Sequence, residues 1–377
     1  MRLIDGGSGN PRAPLRHLDL TLLAASLGIS AIGLLMIYSS TRQKQLSAGL
    51  DPGFYLKRQA LFLVVGIVVM VAVMLFDYQA LRELAPALFV GAVVTLLLVL
   101  SPLGSESRGI QAWFQIGPYQ LQPSELTKVV LIVGVAAFCS AHRGELEAGP
   151  LTALLGFVAV PVGLVYGQPD LGTAMVLAAI VVGILVVGGA KGRHLAVLGS
   201  LGLVAVVAVL QLGVLQQYQV DRLTAFLDPK SDTQSTAYNL RQSQVAIAAG
   251  GFSGRGLFEG TQTNLSFVPE QHTDFIFTAV GEELGFLGAG TLLALFGLVI
   301  WRVWRTAMLA RDQFGSLLCV GVLAMVVFQV FENVGMTMGI TPVAGIPLPL
   351  MSYGGSSTLA TMIALGIVLN VHMRRLR

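Results

Sequence analysis

Apolar residues fall into long blocks along this chain, and short polar breaks separate them. Ten blocks stand out, at about 20–38, 59–76, 84–101, 124–141, 150–167, 171–190, 194–212, 274–303, 314–337 and 353–372. The second, third, sixth, seventh and tenth hold no Asp, Glu, Lys or Arg. Each block approaches the roughly 20 residues that carry an α-helix across about 30 Å of hydrocarbon at 1.5 Å per residue. The pattern predicts an all-α polytopic membrane protein of about ten transmembrane helices, forming a single domain over 1–377. Residues 1–19 form a polar tail before it. The tail lacks the basic, apolar, small-residue order of a cleaved signal, so the first block reads as a retained helix.

Two stretches interrupt the rhythm. Residues 213–273 are far longer than an ordinary connection between helices. Aromatic residues (Tyr218, Phe226, Tyr238, Phe252, Phe258, Phe267) and the apolar run VAIAAGG set them apart from a disordered linker. Such a segment lies on the bilayer surface or partly re-enters it, provided protein or water satisfies its backbone. Residues 338–352, MGITPVAGIPLPLMS, hold too much Pro and Gly for a regular helix and read as a rigid irregular segment.

Composition agrees with the blocks. Of 377 residues, 54% are hydrophobic and 11% charged, against about 25% charged in a soluble chain. A net charge of +3 gives no reason to expect nucleic acid. Cys139 and Cys319 lie inside apolar blocks and read as small hydrophobes. Lys and Arg are concentrated in the breaks that face the cytoplasm if both termini do (Arg82, Arg143, Lys191, Arg193, Arg302, Arg305, Arg311, Arg374, Arg375). That bias sets the orientation and puts 213–273 outside, between spans 7 and 8.

Charge at the edges of apolar blocks is the next signal, since it is costly at membrane depth. In QPSELTKVV, Ser124 is a plausible helix cap, and Glu125 and Lys128 share a face three residues apart. They read either as an interfacial ion pair with snorkelling ends or as a device that holds Lys128 against an anion. Lys128 at the positive end of the helix dipole favours the second. In FVPEQHTDFIFTAVGEELG, Thr273 or Asp274 opens the eighth span. Asp274 reads as an N-cap or as a functional acid, and Glu270, His272, Glu282 and Glu283 crowd the same helix start. Buried acids of that kind need partners or a cavity. Asp170 in GQPDLGT reads as a cap. Arg58, Arg108, Arg222, Arg241 and Arg255 all fall on the outer side, where several guanidinium forks together suit a diphosphate. Two classes fit: an enzyme acting on an anionic lipid-linked substrate at the outer leaflet, or a flippase that moves such a lipid.

The strings FYLKRQ, QPSELTK, GQPDLGT, RLTAFLDP, YNLRQSQVAIAAGG, GLFEGTQTNLSFVPEQHTDFIFTAVGEELG and ENVGMTMGITPVAGIPLPLMSYGGSS resemble the SEDS family (shape, elongation, division and sporulation) over nearly the whole chain. GIPLPLMSYGGSS and NVHMRR resemble its RodA branch most. One departure stands in GIQAWFQIG, where Ala112 precedes Trp113 and relatives often carry arginine; Arg108 lies four residues earlier.

The resemblance implies a peptidoglycan glycosyltransferase of the bacterial inner membrane that elongates glycan strands from lipid II. The partners it implies are lipid II, the nascent strand, a class B penicillin-binding protein and other membrane proteins of the elongation complex. It implies that Asp274 is the essential carboxylate and that Glu125 and Lys128 line the cavity. Arg58, Arg108 and Arg222 are further substrate-binding candidates. No cofactor is certain; a divalent cation (Mg or Mn) could share the handling of diphosphate.

Overall fold

The computed structural model describes residues 17–107, 110–142, 146–211, 217–227, 236–265 and 267–376. In chain order come α1 (Leu20–Ser47), α2 (Phe54–Leu75) and α3 (Tyr78–Val99), then a small sheet of β1 (Ser105–Ser107), β2 (Ile110–Ile116) and β3 (Tyr119–Leu121). Next are α4 (Pro123–Ala141), α5 (Ala148–Gly167), α6 (Leu171–Val187) and α7 (Gly192–Gln211). Three shorter helices follow, α8 (Gln217–Leu227), α9 (Thr236–Gly250) and α10 (Thr261–Asn264). The chain ends in α11 (Ile276–Leu309), α12 (Gln313–Met338) and α13 (Gly355–Arg374).

Each of the ten apolar blocks coincides with one helix, α1 to α7 or α11 to α13. Eight of these, among the described residues, are long and apolar enough to cross a bilayer, and α6 is a shorter apolar helix of 17 residues. α4, α12 and α13 are buried along most of their length and form the centre. α2, α3 and α5 keep most of their apolar surface on the outside, as helices that face lipid do. Small residues let α13 pack closely on α2: a β-carbon on Gly66 would stand 3.0 Å from Met362, and one on Gly366 3.0 Å from the Met70 carbonyl.

Aspartates start four of the helices. Asp19, Asp77, Asp170 and Asp312 each accept a hydrogen bond from a backbone N–H in the first turn of α1, α3, α6 and α12. Gly339, at φ 75°, ends α12 in the left-handed conformation. α4 starts one step earlier than the sequence suggests. Gln122 is its N-cap and Pro123 its first residue, so Ser124 lies inside the first turn. Its hydroxyl is buried without a partner.

The sheet corrects the all-helical expectation locally. β2 pairs antiparallel with β1 and with β3, and Ile116 faces Tyr119 across a two-residue turn. Gly117 takes the first turn position at φ 59°, which suits glycine in a tight hairpin.

Among its described residues, the long 213–273 segment holds α8, α9 and α10. α9 packs between α11 and α12, with Ala237, Leu240, Ser243 and Ala246 buried. Beyond it, residues 250–256 thread into a break in α11 at Gly285 (φ 63°, ψ −162°). Arg255 N and Gly256 N donate to the Glu282 and Glu283 carbonyls at 3.0 and 3.1 Å, while Phe286 N and Leu287 N donate to Gly251 and Phe252 O at 2.9 and 3.1 Å. The inserted backbone therefore supplies the hydrogen bonds that the broken helix loses.

Candidate active site

The starts of α2, α4, α6, α11 and α13 gather with the ends of α1 and α12 at one end of the bundle, the end that the charge bias places outside. Gln59 of α2 donates to Thr358 of α13 at 2.9 Å. Gln122 N, before α4, donates to Ser356 Oγ at 2.9 Å, and Gln122 Nε2 to Asp170 Oδ2 at 3.1 Å. Tyr353 N donates to His272 O at 2.9 Å. The irregular segment expected at 338–352 is found between α12 and α13, at 339–354, and runs through the middle of this network.

Asp274 sits against that segment. It lies in the turn before α11, which starts at Ile276 with Phe275 as N-cap and no side-chain capping bond. The capping reading therefore falls, because the helix begins two residues later than the sequence suggests. Asn333 of α12 locks the local backbone by donating through Nδ2 to Asp274 O and to Ile346 O, both at 2.8 Å. Gly345 turns through φ 72°, and a β-carbon there would stand 3.6 Å from Asp274 Oδ2 and 3.6 Å from Arg222 Nη2. Arg222, carried by α8, also donates through Nη1 to Ala344 O at 3.2 Å. A half-buried carboxylate and a half-buried guanidinium thus converge on one glycine.

Glu125 and Lys128 form a second group. Lys128 Nζ lies 2.7 Å from Glu125 Oε1, and their side chains are only 2% and 5% exposed. The pair is buried in the bundle, so the interfacial snorkelling reading is excluded. Asp170 lies beside it, within the field of both charges. It caps α6 through Thr173 N at 2.9 Å, as expected. Burial raises its carboxyl above the ordinary value. The two groups meet the same backbone: a β-carbon on Gly172 would stand 2.7 Å from Ala344 O, next to the glycine that faces Asp274 and Arg222.

The other sequence candidates separate. Arg58 turns to the β2–β3 hairpin, where Nη2 donates to Pro118 O and the guanidinium lies 5.1 Å from the Tyr119 ring centre. Arg108 lies outside the described residues. Arg241 is carried by α9, and Arg255 donates to Ala249 O and Thr261 Oγ1 at the α11 break. Glu282 and Glu283 are fully buried and have the partners that the sequence argument demands. Glu282 accepts from Gln262 N at 2.8 Å and from Thr263 N and Oγ1 at 2.9 and 2.7 Å. Glu283 accepts from Ser39 Oγ and from Phe258 N. These two acids hold the inserted loop in place.

Among the described residues, no three acidic, histidine or cysteine side chains converge to hold a metal ion. Sequence reasoning missed Gln122 and Gly345. The Pro–Gly run that flags the irregular segment is the signal that could have pointed to Gly345.

Comparison with known proteins covers the whole arrangement. A family model described as a cell cycle protein, FtsW/RodA/SpoVE, matches residues 19–376. A probable peptidoglycan glycosyltransferase FtsW from Trichlorobacter lovleyi is 37% identical, over 96% of this chain and 95% of its own. The peptidoglycan glycosyltransferase MrdB of Escherichia coli K12 is 35% identical, over 95% and 94%. Among solved structures, a chain of a peptidoglycan synthase complex that coordinates polymerization and crosslinking superposes with a TM-score of 0.82 at 33% identity, over 96% of this chain and 99% of that one. The rod shape determining protein RodA of Thermus thermophilus gives 0.71 at 30% identity, over 96% and 98%. A ten-block membrane chain with this outer-end site, matched nearly end to end, belongs to the FtsW/RodA/SpoVE family.

Proposed function

We propose that this multi-pass protein of the bacterial inner membrane is a peptidoglycan glycosyltransferase. It lengthens glycan strands from lipid II at the outer leaflet, in cell-wall elongation and rod-shape maintenance. The observation that carries the reading is the meeting of Asp274 and Arg222 at Gly345, in the irregular segment between α12 and α13.

In this reading Asp274 takes the proton of the acceptor sugar's 4-hydroxyl. That oxygen attacks the anomeric carbon of the donor, the bond from that carbon to the diphosphate breaks, and undecaprenyl diphosphate leaves as an anion. One displacement inverts the configuration, from α-diphosphate to β-1,4 glycan. The leaving group is already a stable anion, so its charge needs cations more than a protonating acid. Arg222 is the first candidate because it stands beside the carboxylate; Lys128, Arg58 and Arg108 follow. The likeness to a synthase-complex chain supports a working complex with a class B penicillin-binding protein.

The test uses purified protein, lipid II and detergent, with glycan polymer read on a gel. The wild type gives a ladder, and Asp274→Asn inserts and folds yet polymerises about 10²–10⁴-fold more slowly. A wild-type rate for Asp274→Asn overturns the role of the acid. A flippase has no membrane to work across in detergent, so a wild type that yields no ladder favours that alternative.

A further inference from the structure

One side chain ties the two halves of the site together. Asn333 is fully buried in α12. Its amide nitrogen donates to carbonyls on two separate segments, Asp274 O and Ile346 O, both at 2.8 Å. We propose that Asn333 is a positioning residue for the transfer: it sets the distance of the Asp274 carboxylate from Arg222 across Gly345, and it acts through the acid rather than on the substrate. The proposal rests on the glycosyl-transfer reading above and adds the group that holds the acid in place.

The geometry on both sides of Gly345 supports this. Ala344 O accepts from Arg222 Nη1 at 3.2 Å, and Ile346 O accepts from Asn333. The turn is thus gripped on one side by the cation and on the other by the amide. The same amide holds the main chain of Asp274. Arg222 and Asp274 belong to elements far apart in sequence, α8 and the turn before α11. Through the 344–346 backbone, Asn333 relates one to the other. α11 begins beyond the acid, with Phe275 as its N-cap, so Asp274 lies outside the regular helix.

A second asparagine separates this role from a structural one. Asn370 of α13 has the same arrangement at the inner end, where its Nδ2 donates to Val73 O and Phe76 O. Its Oδ1 accepts from Arg374 Nη1, so both ends of the amide are used. In Asn333 the two carbonyls oblige the NH₂ to face them, because a carbonyl can only accept. Its Oδ1 is left buried with no partner among the described residues, a state that costs folding free energy and is rare in folded proteins. The chain bears that cost at one asparagine and not at the other. The one that bears it holds the backbone of the acid.

The experiment measures initial rates of polymerisation by the full chain against lipid II concentration, per folded molecule. We expect Asn333→Ala to lower kcat about 10²-fold, the loss that follows when a reacting group is misplaced by about 1 Å, with the lipid II KM within about twofold. Asn333→Asp keeps the shape and puts oxygen in place of the donors, and it carries the test if the alanine variant fails to fold. Asn370→Ala is the matched control: it loses the same kind of double tie and keeps the wild-type kcat. The deciding arm combines Asn333→Ala with Asp274→Asn. A residue that acts only through Asp274 adds nothing once the acid is gone, so the double variant polymerises within about twofold of Asp274→Asn alone. Losses that multiply, a raised KM with kcat unchanged, or an equal fall of kcat in Asn370→Ala overturns the assignment and leaves Asp274 in its role. A wild-type rate for Asp274→Asn overturns the catalytic reading, and the positioning role with it.

Discussion

The inner and outer ends of the bundle both bury charge, and they use it differently. At the inner end the charges close circuits between helices. Asp19 caps Leu22 N at 3.0 Å with one oxygen, and with the other accepts from Arg302 Nε at 2.8 Å and Nη2 at 2.6 Å. Tyr78 and Gln79 both donate to Asp312, the cap of α12. Asn370 and Arg374 donate to the carbonyls that end α2. Each of these groups ties one helix end to another.

The outer end has such circuits too, around Glu282 and Glu283. It also holds most of the buried oxygens that lack a partner among the described residues, including Ser124 Oγ, Gln168 Oε1, Gln271 Oε1 and Asn333 Oδ1. An unsatisfied buried polar group costs about 1–3 kcal/mol. Asn333, which ties Asp274 O to Ile346 O, is one of them. On the proposed function, the inner charges build the fold and the outer ones meet the substrate.

The largest predicted effect tests that separation directly. Asp19→Asn at the inner end and Glu125→Gln at the outer end each break a buried pair, which costs about 3–5 kcal/mol when one partner is lost. Thermal unfolding in detergent should show both losses. Polymerisation per folded molecule should differ: wild type for Asp19→Asn, and lowered about tenfold or more for Glu125→Gln through the released Lys128. Equal rates in the two variants would make Glu125 and Lys128 a structural pair like Asp19 and Arg302.

A smaller effect concerns an outer-end circuit that is closed. Glu282→Gln replaces one oxygen by an NH₂ facing donors from Gln262 and Thr263. It should cost about 2–3 kcal/mol of stability, and loosen the 250–265 loop. Faster amide hydrogen exchange over that loop, with α2 and α13 unchanged, is the expected reading; exchange spread evenly over the bundle would show that Glu282 supports the whole fold instead.

Helix positions were legible in the sequence because each span carries its own signal, a block of apolar residues. Asp170 was legible as a cap for the same reason: the capping bond is local, three residues long. What was not legible depends on contacts distant in sequence. Glu125 and Lys128 were visible as a pair, but not their burial, which α6, α12 and α13 impose by packing around α4. Arg222 stood level with Arg58 and Arg108 as a substrate-binding candidate, with nothing to put it beside Asp274. Only the fold carries α8 to Gly345, 122 residues from Arg222 to the carbonyl it meets. The break at Gly285 was hidden as well, since a glycine inside an apolar block reads as ordinary helix until the 250–256 backbone is seen to fill it.

The smallest effect is a matter of sign, and it asks on which side of the comparison Asp170 belongs. Burial is the main influence on its carboxyl and raises it above 3.8; the Thr173 N–H and Lys128 oppose the rise, and Glu125 adds to it. An acid raised in the folded state favours folding fully below its unfolded value of about 3.8, and that contribution is lost as pH climbs through the folded value. Asn at this position keeps the oxygen that caps α6 and does not titrate. Asp170→Asn should therefore unfold with the wild type near about pH 4 and at a higher temperature than the wild type near about pH 7. That result would mean the wild type keeps a costly ionised acid beside Glu125, the mark of a group held for the site. A lower unfolding temperature at neutral pH would mean that attraction to Lys128 outweighs burial, and Asp170 would join the closed circuits that hold the bundle together.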